Sequence, residues 1–555
     1  VVTTDAFKEQ FERDVADFVE WIMEEKPTWA SDLGKHDYDC RLDDVGIATL
    51  ELQNRRISEY KKRFKQALGS SDLDTQIDAA LMISLTKAFM RNFEELRMFA
   101  RAPQYYVGMV LGSCHSLITR DYAPLPDRLK ALLGRMSEVP RVLEQGMHNL
   151  ENPPKVWLDL SIAMAKGGIS LFENDIPQVA QEVPDLLMDV RDSSKKAADA
   201  MRSFLAFLED DVRLRADGEF AVGEEIFNEL LHSVHMLDAD ARSIQKKGYE
   251  ILKETEQQFD ELVARLGFQG KNRNDIVFEI AKKHPKAEEL IDTYKKAMMG
   301  SRQFILDRNL VTLPPWESLE MRETPKFERH LLPFAAYGPP GPFEEKQIGI
   351  FWVNPVDPEL PPDVQEMRLR SHPYAKIPIH AVHEGYPGHH VQLVWANKVG
   401  SLARKIGCIS SLHVEGWAFY TEEMMERQGF LSDPEVRIFR LKEQLWRACR
   451  IVIDVGIQTG EMSLEEAAQM LVDRAGFEQN DAIAEVTRYT LAPTQPMSYL
   501  IGKLELMKTA EEYKMRRGSS FDLKTFHDAV LACGSLTPSL IRRRLFEGEE
   551  LRLPV

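Results

Sequence analysis

His380-Ala-Val-His-Glu-Gly-Tyr-Pro-Gly-His-His390 places four of the chain's fourteen histidines within a single short stretch. His372 and His413 flank it, and Val414-Glu-Gly-Trp-Ala-Phe-Tyr420 follows downstream. Histidine and carboxylate side chains in this order have the chemistry of a hydrolytic metal site. Two imidazoles and one carboxylate bind zinc and leave a position open for water, and a further carboxylate nearby can take that water's proton. This stretch and its downstream answer decide how the rest of the sequence is read.

The usual helical form of such a site is H-E-x-x-H, in which two histidines four residues apart share one helix face. This chain begins the pattern with His383-Glu384, but position 387 is Pro and the next histidines are His389 and His390. On a straight helix at ~100° per residue, His389 would lie about 120° from the face of His383. With two residues looped out it returns to about 40°. Pro387, which has no N–H, and Gly388, which tolerates unusual dihedrals, suit such an interruption. Glu415 stands far enough beyond His389 for one helix to end and a second to return to the metal.

Length and composition set the frame. The chain has 555 residues, 44% hydrophobic and 28% charged, so it is expected to be an ordinary globular protein with room for several domains or one large lobed enzyme. A formal charge of -18 disfavours nucleic acid as a partner, because phosphate binding needs basic residues gathered on one face. No stretch is apolar for long enough to suggest a membrane span. Cys40, Cys114, Cys408, Cys449 and Cys533 are few and scattered, without a C-x-x-C pair, which points to a reducing compartment rather than a disulfide framework. The opening Val1-Val-Thr-Thr-Asp5 has no basic or apolar leader pattern, so a targeting segment is expected to be absent or removed and the location cytoplasmic. The oligomeric state is not legible.

Apolar residues at three-to-four spacing, such as Phe11, Val15, Phe18, Val19 and Ile22, predict nearly continuous helix up to about residue 309. Breaks are expected at Lys26-Pro27, Gly69-Ser71, Ala123-Pro126, Asn152-Pro154 and Gly167-Gly168. Between Leu313 and Pro362 stand eleven of the twenty-nine prolines, which predicts a long loop with at most short strands. Within it, Gln347-Ile-Gly-Ile-Phe-Trp-Val353 reads as a strand, and one of its edges is expected to face the metal and hold an extended substrate. Helical patterning returns from about Pro373, and Ser463-Leu-Glu-Glu466 has the form of a capping box. The expected organisation is a helical region at 1–312 forming a cleft wall, a Pro-rich segment at 313–362, and a helical catalytic region at 363–555. These three are expected to interlock. The fold class is mainly α with a small β element.

His383-Glu-Gly-Tyr-Pro-Gly-His389, Val414-Glu-Gly-Trp-Ala-Phe-Tyr420 and Pro493-Thr-Gln-Pro-Met-Ser-Tyr499 together resemble the domain of unknown function 885 family, a zincin-like group read as metallopeptidases. Leu33-Gly-Lys-His-Asp-Tyr38 and Phe526-His-Asp-Ala-Val-Leu531 extend the resemblance over nearly the whole chain. It implies a helical architecture with a deep cleft, a small β element near the site, and zinc held by His383, His389 and Glu415. One departure stands out. Where the family commonly has a His after Asp-x-Gly, this chain has Asp454-Val-Gly-Ile-Gln458, and Gln458 cannot act as an acid or base.

On these grounds the chain is expected to be a zinc-dependent hydrolase, a metallopeptidase of the oligopeptidase or carboxypeptidase type cleaving short peptides, or a related amide hydrolase, by attack of a metal-bound water. Glu384 would be the base. Tyr499 is the candidate donor to the oxyanion, against a rival reading as a packing residue. Arg450, Arg488 and Tyr489 are candidates for a substrate carboxylate, and ion pairing on a helix surface competes for the arginines. His380, three residues before His383, is the alternative ligand. Two histidines and a carboxylate also serve non-haem iron oxygenases, but those do not require a Glu beside the first His. A third reading is an inactive helical scaffold. Cys114-His115 is not read as a thiol nucleophile, because adjacency in sequence does not bring sulfur onto imidazole.

Overall fold

The periodicity near the N-terminus becomes a helix, Thr4–Glu25, that buries Phe11, Val15, Phe18, Val19 and Ile22 along one stripe. The structure, a computed structural model, describes residues 4–268, 270–324, 335–548 and 553. Pro27 opens the next helix, where its missing N–H is harmless. The turn signals at 69–71, 123–126 and 152–154 each separate two helices. Gly167-Gly168 does not. The helix Lys155–Ser170 runs through both, with the backbone at Gly168 pressed against Leu111, and such packing outweighs the ~1 kcal/mol that glycine costs a helix. The box at Ser463 forms as expected, with Glu466 N–H donating to Ser463 Oγ and Ser463 N–H to Glu466 Oε2. The fold is mainly helical, and no described helix is long and apolar enough to cross a membrane.

Two compact units emerge: residues 1–220 with 341–345, and residues 221–340 with 346–555. The boundary expected at 312 therefore falls near 220. The reason is visible in the second unit, where the helix Ala241–Arg265 packs along the helix Pro434–Gln458. Gln444 there donates to Thr255 at 2.9 Å, and Arg474 forks onto Glu256 at 2.5 and 2.7 Å. In the first unit, the five residues 341–345 dock on the turn that contains His36. Phe343 N–H donates to Leu33 O, while His36 contacts Asp39 at 2.9 Å and Glu344 at 3.6 Å and stacks on Tyr122.

Within the second unit, β1 (Ser318–Glu323), β2 (Ala335–Gly338) and β3 (Ile348–Val353) form one sheet in the order β1-β3-β2. The strand expected at 347–353 is β3, and its burial alternates as a pleat requires. Its expected role is overturned. β3 is the central strand, parallel to β1 and antiparallel to β2, so neither of its edges is available to a substrate. Prolines 325 and 333 of the Pro-rich segment lie outside the described residues. The sheet still meets the histidine stretch, since Tyr337 of β2 has its hydroxyl 3.1 Å from His390 Nδ1.

His36 makes the first unit pH-sensitive. Burial alone would lower its pKa, but Asp39 and Glu344 outweigh burial and push it up to about 9. A histidine with a raised folded-state pKa stabilises fully below its unfolded value near 6.5, and the gain disappears as pH rises through 9. Melting curves from pH 6 to pH 10 should show a loss of at most about 3 kcal/mol across that window, at ~1.4 kcal/mol per pH unit. His36→Asn should be less stable at pH 6 and should lose the part of the slope that His36 supplies, keeping that of other groups such as Asp454; an unchanged slope in the variant would remove His36 as a cause.

Candidate metal centre

The histidine stretch is built from two helical pieces with a widened turn between them. The helix Ile377–His380 runs into a π-helical turn over Ala381–Gly385, closed by Tyr386 N–H donating to Ala381 O at 3.1 Å. Gly388 N–H then donates to Val382 O at 3.0 Å, and a new helix begins at His389 and runs to Lys398. A Cβ on Gly388 would stand 1.9 Å from the carbonyl oxygen of His383, so only glycine permits this close return. The extra width cancels the angular drift of the long spacing. The rings of His383 and His389 come to lie 4.8 Å apart and nearly perpendicular.

His383, His389 and Glu415 each offer a ligand atom, and these atoms all lie within 4.8 Å of one another. His389 Nε2 and Glu415 Oε2 are 3.4 Å apart, close to the ~3.3 Å that separates two ligands bound tetrahedrally to zinc at 2.0–2.1 Å. His383 is 6% exposed, and its Nδ1 lies 2.7 Å from Oε1 of Glu422, itself 2% exposed. A carboxylate there holds the proton on Nδ1 and leaves the Nε2 lone pair for a metal. Burial works against a charged His383, yet Glu422, Glu384 and Glu415 together raise its basicity. Burial likewise favours a neutral Glu415, but His389, His383 and Arg450 hold its carboxyl at about 2. The donor set fits a zinc-sized cation.

Glu415 and Glu422 sit on the helix Leu412–Gln428, seven residues and so two turns apart on one face. That helix is fixed at both neighbours of the site. Trp417 Nε1–H donates to Pro387 O at 2.8 Å, tying it to the histidine stretch. Gly416 meets Gly502 of the helix Ser498–Arg517 so closely that a Cβ on either would stand 2.4 Å or less from the other helix's backbone. Tyr499 begins this second helix. The turn before it is held by Asp454, whose two oxygens accept from the backbone N–H groups of Thr494 and Met497, both at 3.2 Å. Burial pushes Asp454 up to about 8 despite those bonds.

A family model described as "Bacterial protein of unknown function (DUF885)" matches residues 27–545. The chain belongs to that family. No curated protein matches it. Among solved structures it resembles "a putative lipoprotein of unknown function from Shewanella oneidensis" at 25% identity and a TM-score of 0.81, covering 98% of this chain and 100% of that one. It also resembles "the putative lipoprotein from Colwellia psychrerythraea" at 18% identity and a TM-score of 0.84, covering 99% of each chain.

The family stretches converge in the second unit, apart from the His36 turn. Glu384 is half-buried in the π turn beside His383, and its charge reaches Tyr294 and Tyr337. His380 is drawn off to the hydroxyl of Tyr294, 3.3 Å away, and does not join the three-donor group. His390 is buried against Glu317 at 2.9 Å, and Tyr386 also donates to Glu317. Arg450 is 1% exposed and stacks on Tyr499 and Tyr489 at 4.1 and 5.2 Å. Tyr489 is buried and accepts from Trp446 Nε1–H at 2.9 Å. Arg488 is exposed and forks onto Glu485 of its own helix. Gln458 donates to Tyr489 O and accepts from Val222 N–H, a structural bridge. Burial pushes the Cys114 thiol up to about 12, which leaves no nucleophile at Cys114-His115.

Glu422 was not singled out from the sequence, although its spacing of seven from Glu415 marks it. Glu415→Ala should abolish stoichiometric metal binding, since it deletes a donor. Glu422→Gln should keep the metal with an affinity lower by about 10–100-fold. Competition with a chromophoric chelator measures both; an unchanged affinity in Glu422→Gln would reduce Glu422 to a packing residue.

Proposed function

We propose that this protein is a zinc-dependent metallopeptidase, or a closely related amide hydrolase, that acts on short peptides. The observation that supports this most is the three-donor group of His383, His389 and Glu415 with a further carboxylate, Glu384, adjoining the first histidine. His383, His389 and Glu415 would hold a zinc ion there, which would supply an acidified water near neutral pH and a Lewis acid for the scissile carbonyl. Glu384 takes a proton from the attacking water and returns it to the departing amine. Tyr499, half-buried near enough to Glu415 to feel its charge, donates its hydroxyl to the developing oxyanion. A zincin-like architecture with a deep substrate cleft beside the site belongs to the same proposal.

Location enters the proposal too. The two solved relatives are each described as a "putative lipoprotein", which favours a place outside the cytoplasm over the cytoplasmic one expected from the sequence.

The test is to incubate metal-loaded protein with a diverse short-peptide library and read the products by mass spectrometry. Glu384→Gln should bind zinc as the wild type does while hydrolysis falls by about 10²–10⁴-fold. Equal turnover in the two proteins would remove Glu384 as the base. Tyr499→Phe should lower kcat by about 10²-fold with KM little changed, because the hydrogen bond strengthens only in the transition state. An effect on KM alone would make Tyr499 a binding residue.

A further inference from the structure

Arg450 poses a physical problem that its surroundings do not solve. The side chain is 1% exposed, and neither its Nε nor its Nη2 has a hydrogen-bond partner. A buried guanidinium without acceptors is costly, and native proteins nearly always match such groups. The rings of Tyr499, Tyr489 and Trp446, at 4.1, 5.2 and 5.3 Å, favour the cation through their faces. Rings do not satisfy the in-plane donors.

Nε and Nη2 form the side-on fork of arginine, the pair that takes both oxygens of one carboxylate. Elsewhere in this chain that fork is filled in just this way. Arg273 places it on Asp260 at 2.8 and 2.7 Å, and Arg474 on Glu256 at 2.5 and 2.7 Å. The carboxylates around Arg450 are engaged differently. Asp454, one turn further along its helix, accepts from Thr494 and Met497; Glu485 is held by Arg488; Glu443 is held by Arg447; Glu415 faces His389. Of the other cations nearby, Lys503 pairs with Glu423 and Arg447 with Glu443 through Nη1, so that Arg447 leaves Nε without a partner but no complete fork. A planar fork whose two donors lack acceptors matches the two oxygens of one carboxylate. Arg450 also shares a ring with the site, because Tyr499 stacks on it while feeling the charge of Glu415.

We propose that the Nε–Nη2 edge of Arg450 binds the free C-terminal carboxylate of the substrate, so that the protein removes residues from the C-terminus of short peptides and does not cleave internal bonds at large. The inference rests on the hydrolase reading given above. One water is consumed: its oxygen bonds to the scissile carbonyl carbon, the C–N bond breaks, and a proton passes to the new amine of the released C-terminal fragment.

The experiment compares peptides that differ only at the C-terminus, as free acid or as amide. Cleavage by wild-type protein is followed by mass spectrometry, and binding to Glu384→Gln protein by calorimetry. The acid should be bound and cleaved about 10²-fold better than the amide, with every product lacking C-terminal residues. Arg450→Met should erase that preference, and Arg450→Lys, which keeps the charge but loses the fork, should restore only part of it. The wild-type comparison decides even if Arg450→Met does not fold. Cleavage indifferent to amidation would overturn the role of Arg450 and leave the hydrolase reading standing. Selective, Arg450-dependent binding of acids without hydrolysis would do the reverse. Neither binding nor cleavage of any peptide would overturn both.

Discussion

The contact on which the rest of this centre depends is the meeting of two helix backbones at Gly416 and Gly502. Two helices carrying ordinary side chains keep their axes roughly 8–10 Å apart, and only the absence of a Cβ lets main chains touch. The consequences are local. Glu415 precedes the contact by one residue, Glu422 follows it by two turns less one residue, and Tyr499 stands three residues before it on the opposing helix. Lys503, next to Gly502, is buried and pairs with Glu423, next to Glu422. One steric fact thus fixes Glu415 in the candidate donor group, the carboxylate behind His383, and the tyrosine near them.

Charge has to be balanced in the same small volume. Glu384, Glu415 and Glu422 gather around His383 and His389, and burial penalises each ionised carboxylate that lacks a partner. The surrounding acids are neutralised by fixed neighbours: Glu423 by Lys503, Glu443 by Arg447, Glu317 by Arg302 and His390. The three at the centre have two imidazoles and, further off, Arg450. A divalent cation suits that remainder, because it replaces several weak compensations with one strong, directional set of bonds.

How much of this was legible in the sequence differs from residue to residue. The grouping of His383, His389 and Glu415 was, because the long spacing from His383 to His389 made sense only with a looped turn, and Pro387 and Gly388 permit one. Helix boundaries were, wherever Pro or Gly met a change of pattern. Gly167 and Gly168 misled because a helical glycine at a packing contact has the same local signature as a break. The strand at 348–353 was visible from its β-branched and aromatic residues, but its central position depends on partners thirty residues before and a dozen before it, and pairing of that kind leaves no mark in the strand itself. The boundary near 220 was hidden for the same reason, since it reflects which distant helices pack together. Arg488 was grouped with Arg450 by residue type alone; only packing separates an exposed pair with Glu485 from a buried fork.

The motif stretches also divide by what they hold. Trp417 reaches the carbonyl of Pro387, and Tyr420 meets His527 at 2.9 Å, whose other nitrogen bonds to Leu310 O. These bonds join the histidine stretch, the Glu415 helix and the C-terminal stretch into one frame without any of them touching a donor atom of the centre. Arg450 stands on a different helix, Pro434–Gln458, and that helix is pinned through Asp454 to the turn before Tyr499. Candidate donors and frame are therefore on one set of elements, while the guanidinium without in-plane acceptors is on another, joined to them through Arg440 with Glu426, Gln444 with Lys503, and the ring of Tyr499. Gly416, Gly502 and Trp417 thus lock the geometry of His383, His389 and Glu415 without drawing on the side chains around Arg450.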